Sequence, residues 1–390
     1  MAGQNMINQS VAASECCELC SKERKIDPEF SNRITALRFV LAVFVVFIHN
    51  SIGDSNFVVD NVAIEMPLWV QIIYRTIHDY WAGIAVPTFF IISGYLFFAK
   101  PKPFFKTIQS KFRGIVVPYV LWTALAILFF YILQNLGFYV PSCQENIVNN
   151  WNKCDYFRTL WAWDIPPIGE AKLHHPYIIQ FWYIRDLMIM MILSPLIKYF
   201  AGKFPATWLF FVTLLNVAEM LQITNIQYGF TGALFYFSLG FYAVNHIRKV
   251  LNFIDTIRWR DFIATYVILY VLIVYVDINK INNCGFLYWG NLLFTIGFAF
   301  KIAGVVDKNE IFFGKLSYLS AFSFWVFAAH LPFVLTVIKK VFYKIIPMHG
   351  VWILVHFFGV VFLCVVLLVT VGIIFKKFLP KVFAVLNGGR

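Results

Sequence analysis

The chain has 390 residues, of which 60% are hydrophobic, 19% aromatic and only 13% charged. This composition, with a mean hydropathy of +0.72, excludes an ordinary soluble domain and describes a polytopic membrane protein. The net charge of +12 does not argue for a nucleic-acid partner, because cytosolic loops of such proteins gather Lys and Arg and no basic, aromatic-studded soluble domain is present.

Residues 1–32 read as a polar cytosolic tail with no cleavable signal pattern, so the first apolar helix acts as the targeting signal. Apolar segments then recur at about 34–52, 81–98, 115–138, 177–199, 207–221, 230–246, 262–276, 286–303, 318–338 and 351–375. They predict an all-α bundle of about ten transmembrane helices, several of them shorter than the roughly 20 residues of a straight span. With the N-terminus inside, the cytosolic segments carry 22 Lys and Arg and the outer ones 8, which places both termini in the cytosol. The expected organisation is a tail (1–32), a transmembrane domain (33–376) with a long outer loop (137–176), and a cytosolic C-terminal tail (377–390).

The first span, RITALRFVLAVFVVFIHNS, is interrupted by Arg38 and His49. Eleven helical steps bring these two residues back to within roughly 20° of one face, about 16 Å apart along the axis. A snorkelling Arg38 and an interfacial His49 would explain each residue singly but not the shared face. Ionisable groups inside a bilayer usually face a bundle interior or a wet cavity, so this face is a candidate site.

Span two holds Pro87 and the small pair Ser93-Gly94, which lets a neighbouring backbone or ligand come close. A basic cluster follows, Lys100, Lys102, Lys106, Lys111 and Arg113, readable as a phosphate holder or simply as the positive-inside signal. The outer loop carries Trp151, Trp161 and Trp163, the pairs Pro166-Pro167 and His174-His175, and Cys143 and Cys154, which could close a disulfide if the compartment is oxidising. It reads equally as a lid and as an aromatic belt. Cys16, Cys17 and Cys20 lack the further ligands of a zinc site, and no metal is expected. Span four contains FWYIRDL, with Arg185 and Asp186 in need of partners; Asn216 and Glu219 interrupt span five. His330 stands two residues before Pro332, where a bent helix opens a cavity or buries a satisfied core histidine. Walker, Rossmann, HExxH and GxSxG patterns are missing. No repeat of 20 to 50 residues is found, which weakens an inverted-repeat transporter.

Taken together, these pieces resemble the membrane acyltransferase 3 family. Arg38 and His49 match its R-x10-H signature; PTFFIISGYLFF, KFRGIVVPY, FWYIRDL and WVFAAHLPF are similar, in order, to its further blocks. The basic block has Lys111 near Arg113 where an RxxR pattern is usual, and Phe327 and Ala328 replace the usual Tyr and Leu. The resemblance implies an acyl-CoA-dependent transferase, most simply an O-acetyltransferase using acetyl-CoA, in the bacterial plasma (inner) membrane. Among membrane lipid, it would modify a glycan or glycolipid acceptor at the outer face. In that reading Lys111, Arg113 and Arg38 hold the donor, His49 is the general base, and Ser93, Trp182, Arg185 and His330 lie on the substrate side. Succinyl or N-acyl transfer, and a glycan or lipid flippase, remain the rivals, and a homo-oligomer is left open.

Overall fold

The computed structural model describes residues 26–52, 64, 66–99, 103–137, 151–162, 175–221, 229–279, 281 and 284–389. The N-terminal cysteines, Cys143, Trp163, Pro166, Pro167 and His174 lie outside the described residues.

The first helix, α1 (Pro28–His49), starts where its residues favour a start. Asp27 caps it by accepting from the Phe30 N–H at 3.1 Å, Pro28 occupies the first turn, and Glu29 complements the helix dipole. Its end is fixed by Asn50, whose amide donates to the Phe357 carbonyl at 2.9 Å. Ala42, Val45 and Val46 are fully enclosed. Because α1 is apolar on nearly every side, it sits inside the bundle.

The other helices follow as α2 (Leu68–Arg75), leading through tighter and wider turns into α3 (Ala85–Phe98), then α4 (Phe104–Lys111), α5 (Val117–Asn135), α6 (Lys153–Trp161), α7 (Trp182–Lys203) and α8 (Pro205–Met220). After them come α9 (Phe230–Thr256), α10 (Trp259–Ile278), α11 (Gly285–Asp307), α12 (Glu310–Ser320), α13 (Ser323–Ala329), α14 (Leu335–Ile345), α15 (Trp352–Phe378) and α16 (Pro380–Leu386). All ten expected segments are helical among the described residues, but only seven are both long and apolar enough to cross a membrane by themselves. The shortfall has a physical cause. α7 carries Arg185, Asp186, Lys198 and Lys203, the 230–246 part of α9 holds Thr231, Ser238, Asn245 and His246, which dilute its hydropathy, and α8 is only 16 residues long. Such helices depend on neighbours to shield their polar groups.

Glycine sets the closest packing. A Cβ on Gly94 would lie 2.3 Å from the Phe237 carbonyl oxygen, and one on Gly240 2.6 Å from the Tyr95 nitrogen. The α3 and α9 backbones therefore touch through the small residues of the FIISGY block, as its composition predicts.

Segments expected on the same side do meet at the same end of the bundle. At the N-terminal end of α1, Arg33 is 1% exposed and pairs with Asp255 and with Glu29 (2.5 Å), and donates to the Phe300 carbonyl at 3.2 Å. Gly304 leaves room for its guanidinium, since a Cβ there would lie 2.6 Å away. Lys301 donates to the Ile254 and Asp255 carbonyls at 3.0 and 3.2 Å. At the opposite end Arg75 meets Asp277 at 2.5 Å, and Lys339 donates to the Ser51 carbonyl at 3.1 Å. The C-terminal stretch, expected as a tail, includes α16, whose buried Phe383 packs at a tilt against Trp325 and Phe322. The Trp122 indole donates to the Leu386 carbonyl at 2.9 Å and so ties α16 to α5.

Candidate active site

The late histidine is placed by a broken helix. Pro332 lacks an N–H and its ring crowds the carbonyl four residues earlier, that of Ala328. The chain leaves helical geometry at Leu331 (φ −116°, ψ 145°). Gln180 makes good the loss: its Nε2 donates to the Leu331 carbonyl at 2.8 Å and lies near those of Ala328 and Phe327 at 3.4 and 3.5 Å. Within this bend His330 is completely buried and its Nδ1 donates to the Val326 carbonyl at 3.2 Å. In the neutral ring that contact leaves a lone pair on Nε2, which has no hydrogen-bond partner among the described residues.

His49 ends α1 beside this ring, with centroids 5.3 Å apart and planes 38° apart. Its position is held by a histidine that sequence reasoning passed over. His78 contacts the Ile48 carbonyl through Nε2 at 3.0 Å and the Asp79 carboxylate through Nδ1 at 2.6 Å, joining the wide turn at 76–81 to the end of α1.

Two cavities open along α1. The first, about 100 Å³, is bounded by Arg38, Ser93 and Lys111 with Tyr183, Ser323 and Phe327. The Ser93 and Tyr183 hydroxyls are 3.1 Å apart. The second, about 480 Å³, is bounded by His49, Gln180, Trp182, Asn216, Glu219, Tyr236 and, again, Phe327. The Phe327 ring is therefore a wall common to both. It lies nearly parallel to Phe181 at 6.1 Å and edge-on to Tyr183 at 5.9 Å.

Charge differs between the two. The first has the Arg38 and Lys111 cations, whereas the described residues around the second include no Lys or Arg. Glu219 is already engaged there. It accepts from the Gly229 N–H at 2.7 Å, the Thr231 N–H at 3.2 Å and the Thr231 hydroxyl, neutralising the N-terminus of α9.

The expected site residues thus divide. Arg38, Ser93 and Lys111 share one cavity; His49 and Trp182 share the other, with His330 next to His49. Arg113 is exposed and does not border the first cavity. Arg185 is apart from both: it donates to Asp186 at 2.8 Å and to the Trp161 carbonyl at 2.7 Å, and lies over the Trp161 ring. Gln180, Tyr183, Tyr236 and Phe327 were not anticipated as lining. For Gln180 a signal existed, a lone amide inside the apolar IIQFWYI run; for the aromatics none did, since their type is common throughout the bundle.

A family model described as an acyltransferase domain matches residues 31–375. The chain belongs to this family, acyltransferase 3, and is a multi-pass membrane acyltransferase. Among individual proteins it is similar to the succinoglycan biosynthesis protein ExoH of Rhizobium meliloti (strain 1021), with 25% identity over 385 residues covering 94% of each chain. No solved structure matches it.

Proposed function

We propose that the chain transfers an acyl group from cytosolic acyl-CoA to a hydroxyl of a cell-surface glycan or glycolipid across the bacterial plasma membrane. The observation that carries this reading is that one helix, α1, puts Arg38 and His49 into two different cavities that share the Phe327 wall. The N-terminal end of α1 lies with the segments richest in Lys and Arg, so the Arg38 cavity faces the cytosol. Arg38 and Lys111 are cations suited to the polar arm and phosphates of the donor. At about 100 Å³ that cavity admits only part of CoA, so donor entry requires neighbouring side chains to move.

His49 receives the proton of the acceptor hydroxyl as its oxygen bonds to the thioester carbonyl carbon. Collapse of the tetrahedral intermediate breaks the carbon–sulfur bond, and the departing CoA thiolate takes a proton, leaving an ester on the acceptor. His330 bounds His49 and restricts its ring. A positioned base of this kind supplies roughly 10² to 10⁴ in rate.

Acetyl is the simplest acyl group for this site, because the described residues that bound the His49 cavity include no Lys or Arg to pair with a second carboxylate. The relation to a protein of succinoglycan biosynthesis favours succinyl as the second reading. Comparing acetyl-CoA with succinyl-CoA as donors for the purified protein separates them. The test of the mechanism is His49→Ala, expected to lose roughly 10²-fold or more in acyl transfer while CoA binding persists. Near-normal turnover by a folded His49→Ala protein would remove His49 from the chemistry.

A further inference from the structure

Two amide residues border the His49 cavity, and each has one buried hydrogen-bonding atom with no partner among the described residues. Gln180 is 1% exposed, and its Nε2 is committed to the carbonyls of the broken helix, so its Oε1 faces away from them. Rotating the amide would set oxygen against oxygen at the Leu331 carbonyl, which fixes this orientation. Asn216 is 6% exposed. Gln180 Oε1 and Asn216 Nδ2 are both buried without a partner among the described residues, and both residues border the same cavity of about 480 Å³. An unpaired buried polar atom is a standing penalty that a matching ligand atom relieves.

The chemistry of that ligand follows from what surrounds the amides. One donor and one acceptor suit a hydroxyl-bearing molecule, since each hydroxyl both donates and accepts. A hydrocarbon chain would leave both amides unpaired. An anion would find no Lys or Arg among the described residues of this wall and an already engaged Glu219. Trp182 supplies a flat face, held close to the backbone at Gly229, where φ is +84° and a Cβ would come within 2.8 Å of the indole. The volume falls in the ordinary range of small-molecule sites.

We infer that the His49 cavity is a subsite for a neutral sugar ring, in which Asn216 and Gln180 select the acceptor through its hydroxyls. This rests on the acyl-transfer reading for the role of the bound sugar, but the binding itself can be measured apart from transfer. The probes are methyl β-glucoside and its monodeoxy analogues, titrated calorimetrically into the full chain in lipid nanodiscs, with acetyl-CoA turnover followed in parallel. Asn216→Leu loses no hydrogen bond described for the folded chain, and Asn216→Asp is a second variant of similar volume. Each is expected to weaken glucoside binding roughly 10-fold, with the loss in turnover falling on the acceptor's KM rather than the donor's.

One deoxy analogue should show the same loss with the unmodified chain and no further loss with Asn216→Leu, as a shared contact requires. Undiminished glucoside binding in both folded variants would overturn the subsite. So would failure of the unmodified chain to bind glucoside, whether or not an alkyl chain restores binding. Glucoside binding that depends on Asn216 in a protein releasing no CoA would leave the subsite standing and defeat the transferase reading. CoA release to other acceptors without glucoside binding would do the reverse.

Discussion

The two cavities along α1 differ in size and in the chemistry of their side chains. The Arg38 cavity is narrow and cationic, with Arg38 and Lys111 beside the Ser93 and Tyr183 hydroxyls. The His49 cavity is several times larger and bounded by amides, histidine and an indole, with the Glu219 carboxylate engaged by the start of α9. Cations recognise phosphate strongly but discriminate little among neutral groups; buried amides do the converse, because a mismatched hydroxyl leaves them unpaired. Under the proposed function, the contrast assigns affinity for the donor and selection of the acceptor to separate parts of one helix's surroundings.

The sharpest way to break this division is at Arg38. Removing one charge-assisted hydrogen bond costs about 1.5–3 kcal/mol, so Arg38→Met should lower kcat/KM for acyl-CoA by roughly 10- to 100-fold while glucoside binding stays within about twofold. Arg38→Lys should fall between, since it keeps the charge and loses the planar fork. Equal losses for donor and acceptor would show the cavities to be one functional unit. A smaller effect is expected at the common wall. Phe327→Ala opens one cavity to the other, and acyl-CoA hydrolysis without acceptor should rise several-fold, read as free CoA thiol. Because a Phe→Ala change in a packed core carries a stability cost of about 3–5 kcal/mol, Phe327→Leu serves as a fold-preserving comparison with a smaller rise. Hydrolysis unchanged in both variants would deny the ring any separating role.

How much of this was legible in the sequence depended on distance along the chain. The helical class, the shared face of Arg38 and His49, and the close approach at Gly94 are local consequences of hydropathy, of 3.6-residue periodicity and of small side chains. The bend at His330 was announced by Pro332, two residues on. What could not be read was pairing between distant segments. Arg33 opens the first span, and its partners come from both near and far: it pairs with Glu29 and with Asp255, in the space that Gly304 leaves. Arg185, expected on the substrate side, donates to its neighbour Asp186 and to the Trp161 carbonyl and borders neither cavity. An intramembrane arginine announces that it needs a partner without saying whether that partner is protein or substrate. Of the ten expected spans, seven stand by length and composition alone, and α7, α8 and α9 fall short of that measure through polar content or length.

The smallest effect expected also tests whether the two ends of α1 are independent. Asp27 does three things at the end nearer Arg38. Its carboxylate caps α1 at Phe30, it meets Arg248 at 2.6 Å, and its backbone N–H donates to the Tyr95 hydroxyl at 3.1 Å. Burial pushes the carboxyl upward, but the Arg248 and Phe30 hydrogen bonds and the Arg248 charge outweigh it and hold the group below its usual range. A lowered folded-state value means that the ionised group stabilises the fold above the usual carboxylate range, and that this stabilisation fades as pH falls towards the lowered value. Asn also caps a helix but carries no charge, whereas Ala does neither and costs about 1 kcal/mol for the cap. Asp27→Asn should therefore lower Tm slightly at pH 7, with the gap to the unmodified chain closing in acid, while Asp27→Ala stays lower throughout. If the divided arrangement holds, donor KM will follow these changes and glucoside binding will not; movement of glucoside binding with Asp27 would mean that α1 transmits strain along its whole length.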